Sequence, residues 1–139
     1  MKRKFLIATH STFAQGIRNT LEMILGEQPS VSTLCAYTDG ASDIESSVKK
    51  IVDSLEPDEE LIIATDLFGG SVNNAFMNYI SHPHIHLIAG VNLPLLFELL
   101  TNSETLPAEE LIENAVSNAK EQILYCNSLL TQTITEDVF

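Results

Sequence analysis

The sequence predicts an α/β fold: a doubly wound, mostly parallel sheet with helices on both faces. Three observations lead there. Phe5–Ala8 and Leu61–Ala64 are short, continuous apolar runs, the pattern of strands buried on both faces, and Ile85–Ala89 reads as a further strand. Segments with helical period lie between them. Gly26, Pro29, Pro57 and Pro83 punctuate the joints. Strands alternating with amphipathic helices imply a parallel sheet whose crossovers are those helices.

Each element has its own signal. After the first apolar run, Phe13, Ile17, Leu21 and Leu25 recur every four residues, with Ile24 beside them, so a helix is expected over 12–25. Gly26 closes it and Pro29 prevents its resumption. Val31–Tyr37 has strand composition, and Asp39-Gly40 reads as a turn. Ser42 with Glu45 three residues on reads as a capping box for a helix reaching about Leu55, with Ile44, Val48, Ile51 and Leu55 as its apolar stripe. The third strand, Leu61–Ala64, runs into Thr65-Asp66-Leu67-Phe68-Gly69-Gly70-Ser71, and a helix is expected from Ser71 to about Ile80. The fourth strand follows Pro83. Pro94 suits the first turn of a helix over 93–100, and Pro107 opens another with Leu111, Ala115 and Ala119 on one face. Ile123-Leu124-Tyr125-Cys126 has more strand than helix character. One domain over 1–130 is expected, with 131–139 a flexible acidic tail.

Composition narrows the function. Nineteen acidic residues stand against seven basic ones, for a net charge of -12, and three of the seven are Lys2, Arg3 and Lys4. A surface of that sign repels nucleic acid and anionic lipid and attracts basic partners. Lys2-Arg3-Lys4 before an apolar run has the look of a signal peptide, but the run is four residues and a signal core needs about 7–15. No stretch approaches the ~18 apolar residues that span a membrane. A cytoplasmic protein is therefore expected. Cys35 and Cys126 lie in no CxxC pattern and read as reduced, buried thiols.

The topology says where chemistry belongs. Ligands of an open parallel sheet bind beyond the carboxyl ends of its strands, where strand order reverses. In a chain of this pattern the reversal falls between strands 1 and 3. Thr9-His10-Ser11 should thus face Thr65-Asp66-Leu67. A carboxylate accepting from one imidazole nitrogen fixes the tautomer and leaves the other nitrogen as a nucleophile. Phosphorus is a suitable electrophile for it. His10 precedes a helix start, and Gly69-Gly70-Ser71 opens another. Glycines let the backbone approach an oxyanion, and Ser71 can cap the helix or donate to a phosphate oxygen.

At these residues the sequence resembles the enzyme IIA domains of the mannose/fructose/sorbose-type phosphoenolpyruvate-dependent sugar phosphotransferase system (PTS). The segments that carry the resemblance are Ile7-Ala8-Thr9-His10-Ser11, Leu25-Gly26-Glu27, Thr65–Ser71 with Asn74, and Ala89-Gly90-Val91-Asn92-Leu93-Pro94. It spans about residues 3–127. It implies that His10 takes a phosphoryl group from phosphohistidine on the carrier HPr and passes it to a histidine of a IIB partner. It implies that Asp66 orients His10, that Ser11, Gly69, Gly70 and Ser71 line the phosphate site, and that no cofactor or metal is required. The membrane is reached only through the IIC/IID permease. The implied fold is a parallel sheet of order 2-1-3-4 in a homodimer, with a final antiparallel strand, here Gln122–Asn127, exchanged between subunits. Val72 stands where the family often has proline. Many members continue into a IIB domain, so a separate IIB protein is expected here. Which sugar is carried is set by the membrane components.

Other outputs of the same fold are feeding phosphate to a dihydroxyacetone kinase and phosphorylation-controlled regulation. A receiver-type phosphoacceptor domain needs an acidic pair where Thr9-His10 stands, and a lysine where Gly90 follows Ala89. A hydrolase elbow needs a glycine two residues after Ser71, where Asn73 stands. His82, His84 and His86 alternate around Pro83, without an acidic or thiol partner nearby for a metal. Arg18 is expected to pair with Glu22, and Phe13, Leu67 and Phe68 to rim the site for docking.

Overall fold

The computed structural model describes residues 1–38 and 43–130. Along the chain run β1 (Lys2–His10), α1 (Phe13–Leu25), β2 (Val31–Ala36), α2 (Ile44–Asp53), β3 (Glu59–Thr65), α3 (Ser71–Met77), β4 (Ile85–Ala89), α4 (Leu93–Thr101) and α5 (Ala108–Lys120). Two compact units divide it, Met1–Leu93 and Pro94–Phe139.

The first unit holds the whole sheet. Its order is β2-β1-β3-β4 and every pairing is parallel, as expected. Burial on both faces explains the continuous apolar runs. Leu6, Ala8, Leu61, Ile63 and Ile85 join Val48 of α2 and Val72, Ala75 and Phe76 of α3 in one core layer. The intervening residues Phe5, Ile7 and Ile62 are buried on the opposite face. Helix α1 packs against β1 and β2.

The α1 stripe differs from the four-residue spacing expected. Ala14, Ile17 and Leu21 are the buried positions, while Phe13 and Ile24 are exposed. A helix turns 3.6 residues, so a contact line drifts between three- and four-residue steps, and alanine belongs to it where the backbone lies close to the sheet. Gly26 ends α1 at φ 83, its N–H donating to the Glu22 carbonyl. Helix α2 buries Val48, with Ile44, Ile51, Val52 and Leu55 packed around it, as the periodicity requires. Its cap is Asp43, whose carboxylate accepts from the Glu45 N–H at 3.1 Å and the Ser46 hydroxyl at 2.9 Å. The Ser46 hydroxyl is the chief cause holding that carboxyl below the usual aspartate range. The expected turn at Asp39-Gly40, the Ser42 cap and the tail 131–139 lie outside the described residues.

The basic start of the chain is strand, and its charge is spent locally. Lys2, Arg3 and Lys4 align with Glu59, Glu60 and Leu61. Arg3 Nε lies 2.6 Å from Glu60 Oε1, and Lys4 Nζ 3.4 Å from Glu59 Oε2. These pairs fix the β1–β3 register at the end remote from the site. Arg18 pairs with Glu22 at 3.6 Å.

The second unit begins at Pro94, inside the first turn of α4. Leu95, Leu96 and Leu99 of α4 and Ala108, Leu111, Ala115 and Ala119 of α5 are its buried helix positions. No strand forms over Gln122–Asn127 in the single chain. Residues 123–125 carry no regular structure and 126–130 are helical, with Ile123 and Tyr125 exposed. Cys35 is half-buried and Cys126 exposed, both free; the expectation that both are buried fails because Cys35 lies on the edge strand β2 and Cys126 follows α5 among exposed residues. Among the described residues no helix is long and apolar enough to cross a membrane.

Candidate functional site

Strand order brings three strand ends together. β1 lies between β2 and β3, with His10 opposite Ala36 and Ala8 opposite Thr65. The residues at or just beyond the carboxyl ends are thus Tyr37, His10 and Asp66. The His10 backbone N–H donates to Asp66 Oδ2 at 2.9 Å, and His10 Nδ1 lies 2.9 Å from the same oxygen. One carboxylate oxygen holds both the backbone and the ring. The His10 side chain is 40% exposed and that of Asp66 16%, so the imidazole is reachable while the group that orients it is mostly covered.

The hydrogen bonds define a tautomer. An ionised carboxylate only accepts, so Nδ1 carries the hydrogen and Nε2 keeps its lone pair. Ser71 Oγ is 3.2 Å from Nε2 and donates to it. Tyr37 Oη is 2.8 Å from Ser71 Oγ. Ser71 has spent its one hydrogen, so Tyr37 donates to Ser71. Burial by itself would raise the Asp66 carboxyl. The His10 backbone N–H, the ring N–H and the electrostatic attraction of the imidazole outweigh burial and hold it below the usual aspartate value.

Several buried bonds place Asp66. The Thr65 carbonyl accepts from the Gly90 and Val91 N–H groups, at 3.0 and 2.9 Å. Thr65 Oγ1 accepts from Asn73 Nδ2 at 2.9 Å, and Asn73 Oδ1 takes the Gly69 N–H at 3.4 Å. Asn73 is 2% exposed. It thus ties the end of β3 to the glycine turn. Asn73→Ala would strand buried partners on both sides, and a loss of about 1–3 kcal/mol is expected in urea unfolding. On the β1 side, Thr9 Oγ1 accepts the Ala14 N–H at 2.8 Å and anchors the start of α1.

The glycines divide their roles. A Cβ on Gly70 would lie 3.3 Å from His10 Cε1 and 3.2 Å from the Leu67 carbonyl oxygen, so a side chain there would press on the ring and on the turn by a few tenths of an ångström. Gly69 has φ 81 and open space around it, so its need is conformational. Gly69→Ala is expected to cost about 1–2 kcal/mol of thermal stability. Their amides are engaged within the turn: Gly70 N–H donates to the Leu67 carbonyl at 3.1 Å, and Gly69 N–H to Asn73. The Ser71 amide, at the start of α3, has no acceptor within the helix.

Ser11 is placed differently from the other site residues. Its backbone is left-handed at φ 54, and its N–H donates to the Ala36 carbonyl at 2.8 Å. Among the described residues its hydroxyl makes no hydrogen bond to His10. It locks β1 to β2 one residue beyond the histidine. Asn74 Nδ2 donates to the Gly69 carbonyl at 3.0 Å. Leu67 and Phe68, directly after Asp66, and Phe13 are exposed. The His84 N–H donates to His82 Nδ1 at 3.0 Å. No group of three His, Cys, Asp or Glu among the described residues is placed to hold a metal ion. Sequence reasoning missed Tyr37 and the buttressing Asn73. Tyr37 carries no spacing signal because it meets Ser71 from a distant part of the chain, whereas Asn73 bonds to the nearby Thr65 and Gly69 and looks in sequence like any polar residue of a helix start.

Fold and site define a parallel α/β protein with an ordered, partly exposed histidine at the carboxyl edge of its sheet. Residues 4–116 match the family model described as the PTS system fructose IIA component, and the chain belongs to that family, the EIIA components of the mannose, sorbose and fructose type. It is 32% identical over 117 residues to the sorbose-specific EIIA component of Klebsiella pneumoniae, covering 84% of this chain and 86% of that one. It is 31% identical over 123 residues to the mannose-specific EIIAB component of Escherichia coli K12, covering 85% of this chain but 38% of the longer protein. Among solved structures, a candidate phosphoenolpyruvate-dependent PTS permease from Klebsiella pneumoniae superposes with a TM-score of 0.91 at 45% identity, over 94% of this chain and 95% of that one. The PTS IIA protein associated with the fucose utilization operon of Streptococcus pneumoniae gives 0.74 at 30% identity, over 94% and 97%.

Proposed function

We propose that the chain is a phosphocarrier that takes a phosphoryl group from phosphohistidine of HPr on Nε2 of His10 and hands it to a histidine of a IIB partner for sugar uptake. The observation that carries this reading is the pairing of an exposed, lone-pair-bearing Nε2 with an Nδ1 held by a mostly covered carboxylate. Family membership supports the same assignment.

The step balances without a cofactor. The Nε2 lone pair forms the new N–P bond as the P–N bond to the donor breaks, and that electron pair returns to the donor nitrogen. His10 then carries a hydrogen on Nδ1 and the phosphoryl group on Nε2. The resulting cationic ring faces Asp66, which offsets its charge. The phosphoryl transition state is loose, so the protein contributes positioning and charge stabilisation rather than covalent help. Ser71 loses Nε2 as its acceptor when the N–P bond forms, and turns its hydroxyl to a phosphoryl oxygen. A donor so placed contributes on the order of 3 kcal/mol. Gly70 gives the ring room, Gly69 shapes the turn, and Ser11 contributes through the backbone.

Exposed Phe13, Leu67 and Phe68 offer an apolar rim on which HPr docks, and the net charge of -12 attracts a basic partner. Residues 1–130 act as one domain, with 131–139 as its acidic tail. The family match to residue 116 runs across both compact units. The chain works in the cytoplasm as a homodimer and meets the membrane only through IIC/IID. Exposed Ile123, Leu124 and Tyr125 are the apolar surface that an exchanged Gln122–Asn127 strand would cover.

The test is transfer in vitro from phosphoenolpyruvate through enzyme I and HPr, read by intact mass. One acid-labile phosphate per chain is expected. An uncharged chain beside charged HPr overturns the reading.

A further inference from the structure

We propose that Tyr37 is a positioning residue for the transfer: its hydroxyl holds the Ser71 O–H on Nε2 of His10 before the reaction and on the phosphoryl oxygens after it. The inference rests on the phosphocarrier reading for its consequence, and on geometry alone for the linkage. Tyr37 Oη, Ser71 Oγ and His10 Nε2 form a chain with steps of 2.8 and 3.2 Å. The direction of that chain follows from the far side of the ring. Asp66 accepts at Nδ1, so Nε2 must accept from Ser71, and Ser71 must then accept from Tyr37. A lone serine hydroxyl rotates freely, whereas one that accepts from a fixed donor has its own hydrogen directed away from it.

The backbone is shaped for this contact. Tyr37 adopts φ 66, a left-handed conformation uncommon for an aromatic residue, immediately after β2. The turn is closed by Thr38 Oγ1 donating to the Cys35 carbonyl at 3.0 Å. The Tyr37 and His10 ring centroids are 5.7 Å apart and the planes tilt by 32°, within the range of aromatic contact. Tyr37 thus covers one side of the imidazole while its hydroxyl reaches α3. Three elements, β2, β1 and α3, meet at the reacting nitrogen.

After transfer the Nε2 lone pair is in the N–P bond. Ser71 can still accept from Tyr37, so its hydrogen points to the phosphoryl group without a new partner having to be found. Tyr37 itself neither gains nor loses a proton in the step.

Tyr37→Phe keeps the ring and removes the hydroxyl. Two readouts judge it. Imidazole nitrogen NMR of the unphosphorylated protein is expected to show the Nε2 signal of His10 moving in Tyr37→Phe, in the same sense as in Ser71→Ala, with Nδ1 unchanged. Transfer from phospho-HPr is expected to fall about five-fold in kcat, the size of one neutral hydrogen bond, with KM for HPr unchanged. In a Ser71→Ala background the Tyr37→Phe change should have no further effect. An unmoved Nε2 signal, or rate losses that multiply in the double variant, overturns the proposal. Failure of the wild-type chain to accept phosphate overturns the phosphocarrier reading, while the nitrogen signals judge the Tyr37–Ser71–His10 linkage separately.

Discussion

His10→Ala is expected to accept no phosphoryl group while keeping its fold. In the proposed transfer the imidazole is the nucleophile, with Nε2 beside Ser71 and Nδ1 on Asp66. Among the described residues no carboxylate is bonded to the hydroxyl of Ser71 or Tyr37, and Asp66 is committed to His10. The cost to stability is small, because the residue 10 backbone N–H still donates to Asp66 Oδ2 and the removed ring is 40% exposed. Loss of one hydrogen bond to a charged acceptor amounts to roughly 1.5–3 kcal/mol before solvent replaces it. Intact mass after charging by phospho-HPr reads the outcome, and circular dichroism checks the fold. Acid-labile phosphate remaining on the folded variant would place the acceptor elsewhere and sink the assignment.

Asp66→Asn should keep the acceptor and slow the transfer, on the order of 100-fold or more. The amide oxygen can still take the His10 N–H groups, so geometry largely persists. What is lost is the negative charge opposite a ring that becomes cationic on phosphorylation. If the amide turns its NH2 to Nδ1, the imidazole is forced into the other tautomer and Nε2 no longer has a lone pair to attack with. Single-turnover transfer from phospho-HPr measures this, and unchanged kinetics would mean that Asp66 and His10 are uncoupled. The same variant carries an acid-stability signature. The folded carboxyl of Asp66 is held below its ordinary value of 3.8. The unfolded chain therefore binds more protons through that window, and stability from this group is present above the ordinary value and lost as pH falls through the depressed one. Wild type and Asp66→Asn should thus converge in stability as the solution is acidified; a difference that stays constant would contradict the assigned shift.

The sequence was most legible where one local rule acted alone. Continuous apolar runs mark β1 and β3 because a central parallel strand is buried on both faces, and Gly26, Pro94 and Pro107 mark helix ends through their backbone geometry. His10 and Asp66 were legible as a pair because each follows or ends such a run, and parallel strands align their carboxyl ends. The α1 stripe was less legible. A four-residue spacing nominated Phe13 and Ile24, which face outward, and overlooked Ala14, which is buried. At the start of α2 the capping bonds that are described come from Asp43.

By itself, then, the sequence determined the α/β class, the parallel strands, the helix boundaries to within a few residues, and the two residues that meet across strands 1 and 3. These follow from periodicity, backbone stiffness and the sidedness of buried strands, all properties of short stretches of chain. Only the tertiary structure decided which nitrogen of His10 faces solvent, that Gly70 makes room for its ring, that Asn73 braces the end of β3, and that Tyr37 reaches Ser71. The His10, Gly70 and Tyr37 contacts join residues tens of positions apart, and the Asn73 bonds join the two ends of one turn; in each case the ångström-scale separations are set by how helices and strands pack, and no periodicity encodes them.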